Sequence, residues 1–194
     1  MTTPLRIDRE GLVDATRALV RLRSDDGEER ACQEFVAELM RSAGLPTDVW
    51  EIDVEQVQAH PEASWEIDRA DALGVVGSLE GTGDGPTLLL NGHVDVVPAG
   101  DMALWTHPPY QGVVEGGRIY GRGALDMKGP LMAGLFAIRA IAESGAHLKG
   151  TVRLMSVVAE EDGGLGTLAT ILRGYGGDGA IVMEPTELAI APVQ

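Results

Sequence analysis

Three short apolar runs separated by two helical patterns constrain the fold of this chain more than any other feature. Thr87-Leu88-Leu89-Leu90-Asn91, Thr151 to Ala159 and Ala180 to Met183 are strand-length and largely apolar, the pattern of strands covered on both faces. Between the first two, Pro130 opens a segment, Leu131 to Ser144, that is apolar nearly all round and closed by Gly145; this predicts a buried helix. Leu165 to Leu172 predicts a shorter helix before the third run. Strand, helix, strand, helix, strand in succession is an α/β fold with a largely parallel core sheet.

Upstream, Asp8 can cap a helix carrying Leu12, Ala15, Leu19 and Leu22. A second helix is written by Ala31, Phe35, Val36, Leu39, Met40 and Ala43 and is ended by Gly44 and Pro46. Trp50, Ile52 and Val54 alternate with Glu51, Asp53 and Glu55, which predicts a half-buried strand towards a sheet edge, and Gly74 to Leu79 is a further strand. From Gly92 to Arg118 prolines replace periodicity over a stretch too long for an ordinary connection, so this is read as a functional loop. The 194 residues, 44% of them hydrophobic, suffice for one core and are read as a single domain spanning 1–194.

Fifteen basic against 30 acidic residues give a formal charge of -15, which argues against nucleic acid or an anionic membrane as partner. Runs such as Asp25-Asp26-Gly27-Glu28-Glu29 are read as solvated surface. No apolar run approaches the roughly 20 residues of a membrane span, and the N-terminus lacks the apolar region of a signal peptide, so a cytoplasmic location is expected. The single cysteine, Cys32, lies on an amphipathic helix and is read as a small buried hydrophobe.

An open α/β sheet places its sites beyond the carboxyl ends of its parallel strands. His93 and Asp95 follow the first apolar run, Glu160, Glu161 and Asp162 the second, and Glu184 the third. Asp126 adds a carboxylate between the Gly121-Arg122-Gly123 turn and the buried helix. One imidazole and several carboxylates on one rim suit zinc, cobalt or manganese, and a bound dication is the simplest reason to gather groups that repel one another. Singly, each has an ordinary explanation: a hydrogen-bonded structural histidine, a solvated acidic pair, a turn glutamate before Pro185, a helix cap at Asp126. Four positions arriving at one sheet edge are harder to explain that way. His60, His107 and His147 fall outside this geometry and read as surface residues, with His107 close enough to the loop to touch substrate. The Gly121 to Gly123 turn lacks the third glycine and the preceding strand of a dinucleotide site, and no Gly-x-Ser-x-Gly is present, which argues against nucleotide binding and serine hydrolase chemistry.

Four segments carry a resemblance. Leu90-Asn91-Gly92-His93-Val94-Asp95-Val96-Val97-Pro98, Tyr120-Gly121-Arg122-Gly123-Ala124-Leu125-Asp126-Met127-Lys128-Gly129, Ala159-Glu160-Glu161-Asp162-Gly163 and Met183-Glu184-Pro185-Thr186 resemble, in order, the metal motifs of the M20 metallopeptidase and deacylase family. That group includes acetylornithine deacetylase and succinyl-diaminopimelate desuccinylase. Trp105, His107-Pro108-Pro109 and Gly116-Gly117-Arg118 are also of the family type. The resemblance implies a three-layer sandwich with a mixed, largely parallel sheet, the catalytic domain of the zinc aminopeptidase kind. It implies two Zn2+ ions, with Co2+ or Mn2+ as substitutes: His93 and Glu184 on one, Glu161 on the other, Asp126 bridging them through a cis Asp126-Met127 peptide. Asp95 would orient His93, the usual support of a ligating imidazole, and Glu160 would be the general base in hydrolysis of an amide of an N-acyl amino acid or small peptide.

Members of this family also carry a lid and dimerisation domain after the fourth motif, then a later histidine that completes the second metal's ligands. Gln194 falls about where that insertion should begin. The expectation is therefore an N-terminal catalytic part without its lid, with a homodimer formed through the lid in the full-length protein. A non-catalytic metal-binding domain is the alternative.

Overall fold

In the computed structural model, residues 5–186 are described; Gln194, the position tied above to a lid insertion, lies outside them. Helix α1 (Arg9–Arg21) begins where the Asp8 carboxylate accepts from the Gly11 amide at 2.9 Å, and it buries Ala15, Leu19 and Val20. Helix α2 (Arg30–Ser42) buries Cys32, Val36, Ala37 and Met40, and the chain leaves it through Gly44 at φ +77. The backbone there turns left-handed, a conformation glycine adopts without steric cost.

Five strands form the main sheet: β1 (Thr47–Glu51), β2 (Leu73–Leu79), β3 (Leu88–His93), β6 (Val152–Val157) and β7 (Gly179–Val182). Their order is β1-β2-β6-β3-β7. β3 pairs in parallel with β6 and β7, while β2 pairs antiparallel with β6 and with the edge strand β1. The sheet is thus mixed, and its three parallel strands end side by side at His93, Val157 and Val182. Between them run α4 (Lys128–Glu143) and α5 (Leu165–Leu172).

Alternate strand residues face opposite layers, as the two-residue period requires. Val75, Leu90 and Leu154 join the core under α1, α2 and α4, whereas Val76, Met155 and Val157 form a second cluster on the α5 side with Trp50, Leu89 and Tyr175. Asn91 points to the α5 side, where its amide donates to Thr167 Oγ1 at 3.3 Å. Gln33 of α2 pins the other layer, donating to the Leu73 and Ser156 carbonyls at 2.9 and 2.8 Å. Helices on both faces of one sheet make the three layers.

Three expectations are corrected. The alternation through Val54 does not extend the edge strand, because Asp53 caps a short helix, α3 (Val54–Gln58), accepting from the Gln56 amide at 3.0 Å. Capping satisfies a helix donor that a strand at this edge would leave to water. The stretch from Gly92 to Arg118 is not wholly irregular: β4 (Val113–Glu115) pairs with β5 (Arg118–Tyr120) as a hairpin. Gly116 and Gly117 turn it, both at positive φ. The acidic run is not wholly solvated either. Asp25 and Glu29 are buried, held by Arg23 and Arg69 respectively.

Candidate metal centre

The parallel register brings the ends of β3, β6 and β7 to one rim, and the residues following each strand meet there. His93, the last residue of β3, is 1% exposed. Its Nδ1 lies 2.9 Å from the Asp95 main-chain carbonyl and 3.5 Å from Asp95 Oδ1. Donation from Nδ1 to that carbonyl leaves Nε2 as the free ring nitrogen, turned to the crevice. Around Nε2 stand Asp126 Oδ1 at 3.3 Å, Glu184 Oε1 at 3.5 Å and Glu160 Oε2 at 3.8 Å.

Different local devices deliver each carboxylate. Asp126 precedes α4 across a cis Asp126-Met127 peptide. The start of α4 is anchored by Lys128, which is fully buried and donates to the Leu19 and Leu22 carbonyls at the end of α1, at 3.2 and 2.8 Å. Burial holds its ammonium below the usual lysine range. Glu160 and Glu161 sit on a turn entered through Ala159 at φ +60, a left-handed conformation costly for a side chain with a Cβ. Asp95 holds that turn from the site side, Oδ2 accepting from the Glu161 amide at 2.9 Å. Glu184 follows β7.

Ligand atoms of His93, Asp126 and Glu161 lie within 4.8 Å of one another, and so do those of His93, Glu160 and Glu184. All five expected crevice residues therefore come together, with Asp95 behind them. The groupings add a detail: Glu160, expected as base rather than ligand, stands with Glu184 beside the imidazole.

Electrostatics record the crowding. Burial pulls the His93 pKa down, but Asp95 and Glu184 outweigh it and raise it to about 9. Desolvation, with Asp126 and Glu160 close by, pushes Glu184 up to about 7 despite the pull of His93. Glu161 is raised by desolvation and by Asp126. Asp95, whose burial would raise it, is held low by His93 and by the amides of the turn. Glu184 Oε1 and Asp95 Oδ1 are buried with no hydrogen-bond partner. An imidazole nitrogen facing carboxylate oxygens, one of them orphaned, is the donor set a borderline divalent cation satisfies, so the residues present fit a metal.

Asp162 leaves the cluster. It was expected at the rim with Glu160 and Glu161, yet its side chain points away to pair with Arg69 at 2.5 Å. Successive residues of a tight turn face different ways, and Asp162 finds the buried guanidinium. His107 is taken up by the hairpin, 3.0 Å from Glu115 and against the Tyr120 ring. His60 Nδ1 accepts from the Glu62 amide, and His147 is exposed. Sequence reasoning missed Arg69 and Lys128, because a lone basic residue carries no periodic signal. Lys128 does carry one signal, a charge in the Tyr120 to Gly129 segment at the head of a helix that is otherwise apolar nearly all round.

Fold and site together define an α/β domain with a candidate metal centre at the carboxyl ends of its parallel strands. Residues 89–193, more than half of the chain, match the profile of peptidase family M20/M25/M40, and the chain belongs to that family. It is 40% identical over 135 residues to the N-formyl-4-amino-5-aminomethyl-2-methylpyrimidine deformylase of Bacillus subtilis, covering 66% of this chain and 32% of that protein. It is 32% identical over 170 residues to a probable succinyl-diaminopimelate desuccinylase of Staphylococcus epidermidis, covering 87% and 38%. The chain thus spans about a third of the length of these curated relatives. Among solved structures, the M20 family metallo-carboxypeptidase Sso-CP2 of Sulfolobus solfataricus superposes with a TM-score of 0.68 at 20% identity, covering 89% of this chain and 37% of that one. The aminopeptidase PepT of Bacillus cereus superposes with a TM-score of 0.67 at 24% identity, covering 91% and 44%. These likenesses establish the shared fold. Among the described residues, no helix is long and apolar enough to cross a membrane.

Proposed function

We propose that residues 1–194 form the metal-carrying catalytic domain of a hydrolase that cleaves the amide bond of an N-acyl amino acid or small peptide. The observation that carries this reading is the ring of Asp126, Glu160 and Glu184 oxygens within 3.8 Å of His93 Nε2. His93 and Glu184 would hold one metal and Glu161 a second, with Asp126 placed to serve both. Zinc, or cobalt or manganese, would polarise the scissile carbonyl and make water a stronger acid at neutral pH. Glu160, half-exposed beside His93, accepts the proton of the attacking water and passes it to the leaving amine. Water's oxygen ends in the carboxylic acid, its two hydrogens are shared between acid and amine, and the C–N bond breaks. Asp95 keeps Glu161 and the imidazole facing the crevice. The relatives are named for removing formyl and succinyl groups, which supports an acylated amine or amino acid as this chain's small-molecule substrate.

The test is zinc calorimetry on wild-type protein and His93→Ala, beside a hydrolysis screen of N-formyl, N-acetyl and N-succinyl amino acids using the complete reading frame that contains this chain. Zinc binding that disappears with His93, together with turnover of one acyl class, is the expected outcome. Binding without turnover of any amide would point to a non-catalytic metal-binding domain, and absence of binding would sink the reading.

A further inference from the structure

Among the described arginine ion pairs, only the two made by Arg69 are sealed from solvent at both ends. The side chains of Arg69, Glu29 and Asp162 are 2%, 3% and 6% exposed. Arg69 Nη2 and Nε donate to Glu29 Oε1 at 2.7 and 3.2 Å, and Nη1 donates to Asp162 Oδ2 at 2.5 Å. Two carboxylates around one guanidinium leave an excess negative charge in the interior. Such an arrangement is a poor source of stability compared with apolar packing of the same volume, so its position invites another explanation.

Asp162 is the residue after Glu161, on the turn that carries the acidic pair. The outer side of that turn is gripped by the segment containing Arg69: the Asp162 carbonyl accepts from the Glu66 amide at 2.9 Å, and Asp162 Oδ2 accepts from the Ile67 amide at 3.2 Å. Gly163, at φ +131, lies so close to this segment that a Cβ would stand 2.4 Å from the Ser64 carbonyl oxygen. The inner side is held by Asp95 through the Glu161 amide. A cavity of about 180 Å³ between the two grips is lined by Glu29, Arg69, Asp95, Glu161 and Asp162. The turn is clamped between a carboxylate at the site and a guanidinium behind it.

We propose that Arg69 is a positioning residue for the metal centre. By locking Asp162 to Glu29, it sets the direction in which Glu160 and Glu161 leave the turn and face His93. This rests on the metal-binding reading above. Two effects of Arg69 on a dication have opposite signs, which makes the proposal decidable. As a nearby positive charge it repels the metal, so its removal by itself would tighten binding. As a clamp it holds a ligand in place, so its removal would weaken binding, by about 10–100-fold where an outer support of a ligand is lost.

The experiment is titration of the chain with Zn2+ and with Co2+, the latter followed by its visible absorption, for wild type, Arg69→Met, Arg69→Lys, Asp162→Asn and His93→Ala. Each is also melted in the presence of chelator. Arg69→Met and Asp162→Asn should both weaken metal binding by about tenfold or more and alter the Co2+ spectrum. Arg69→Lys should recover part of the loss. Affinity and spectrum unchanged, or binding made tighter, would overturn the proposal whatever the change in melting temperature. If Arg69→Met does not fold, Arg69→Lys decides, since it keeps the positive charge and loses the forked grip on Glu29 and Asp162, so weaker metal binding by it reports the clamp and binding equal to wild type would overturn the proposal. Binding by His93→Ala equal to wild type would instead bring down the metal reading itself.

Discussion

Replacing Asp95 by alanine separates two supports of the site that share one residue. The Asp95 carboxylate is buried, with Oδ2 accepting from the Glu161 amide at 2.9 Å and Oδ1 3.5 Å from His93 Nδ1. The His93 ring also donates to the main-chain carbonyl of Asp95 at 2.9 Å. Alanine removes both carboxylate contacts and keeps the carbonyl, so Nε2 stays turned to the crevice while the Glu161 turn loses its inner grip. A hydrogen bond to a charged group contributes about 1.5–3 kcal/mol, which at about 1.4 kcal/mol per tenfold is roughly a 10- to 150-fold change in an equilibrium constant. Loss of a negative charge near the cation acts in the same direction. Zn2+ affinity measured by calorimetry should therefore fall by about tenfold or more. In the metal-free protein the His93 pKa, followed by NMR, should drop from about 9, because Asp95 is the main group raising it against burial. Unchanged zinc affinity with a lowered histidine pKa would refute the idea that the carboxylate supports binding through Glu161.

Glu160→Gln in the complete reading frame should lower amide turnover by about 10²–10⁴-fold at unchanged metal content, whereas Glu161→Gln should lower metal content; metal analysis beside kinetics would show a reversal of these roles. Without metal, the folded pKa values of His93 (about 9, raised from 6.5) and Glu184 (about 7, raised from 4.5) lie above their ordinary values. The folded state holds these protons more tightly, so their contribution is fully present at acidic pH and is lost as pH rises through about 7 and then about 9. Chelator-treated protein should melt lower at pH 9 than at pH 6, and saturating zinc should flatten the difference; a metal-free stability rising over that range would contradict the assignment. Leu154→Ala, at a fully buried position in the middle of β6, should cost about 2–5 kcal/mol in denaturant unfolding, and a negligible loss would mean that the core under α4 is not packed as described.

Apolar pattern, periodic or continuous, together with Gly and Pro signals located both long N-terminal helices, the strands at 73–79, 88–93, 152–157 and 179–182, and the helices at 128–143 and 165–172 to within a few residues. These elements are legible because burial on one face or on both imposes its period on the residue types. The rim was legible for a related reason: three parallel strands must end on the same side, so residues following them are neighbours whatever their separation in the chain. The sequence also carried the polar identity of His93, Asp126, Glu160, Glu161 and Glu184, but not which way each side chain turns. Only the tertiary structure sent Asp162 backwards to Arg69 and buried Asp25 and Glu29 within a run that reads as surface. It alone set the His93 ring against the carbonyl of Asp95 and made Asp53 a helix cap instead of a strand residue. Apolar pattern is written locally, because water rejects such side chains wherever they stand. The partner of a buried charge is chosen from residues tens of positions away, and only the folded chain brings them within hydrogen-bonding distance.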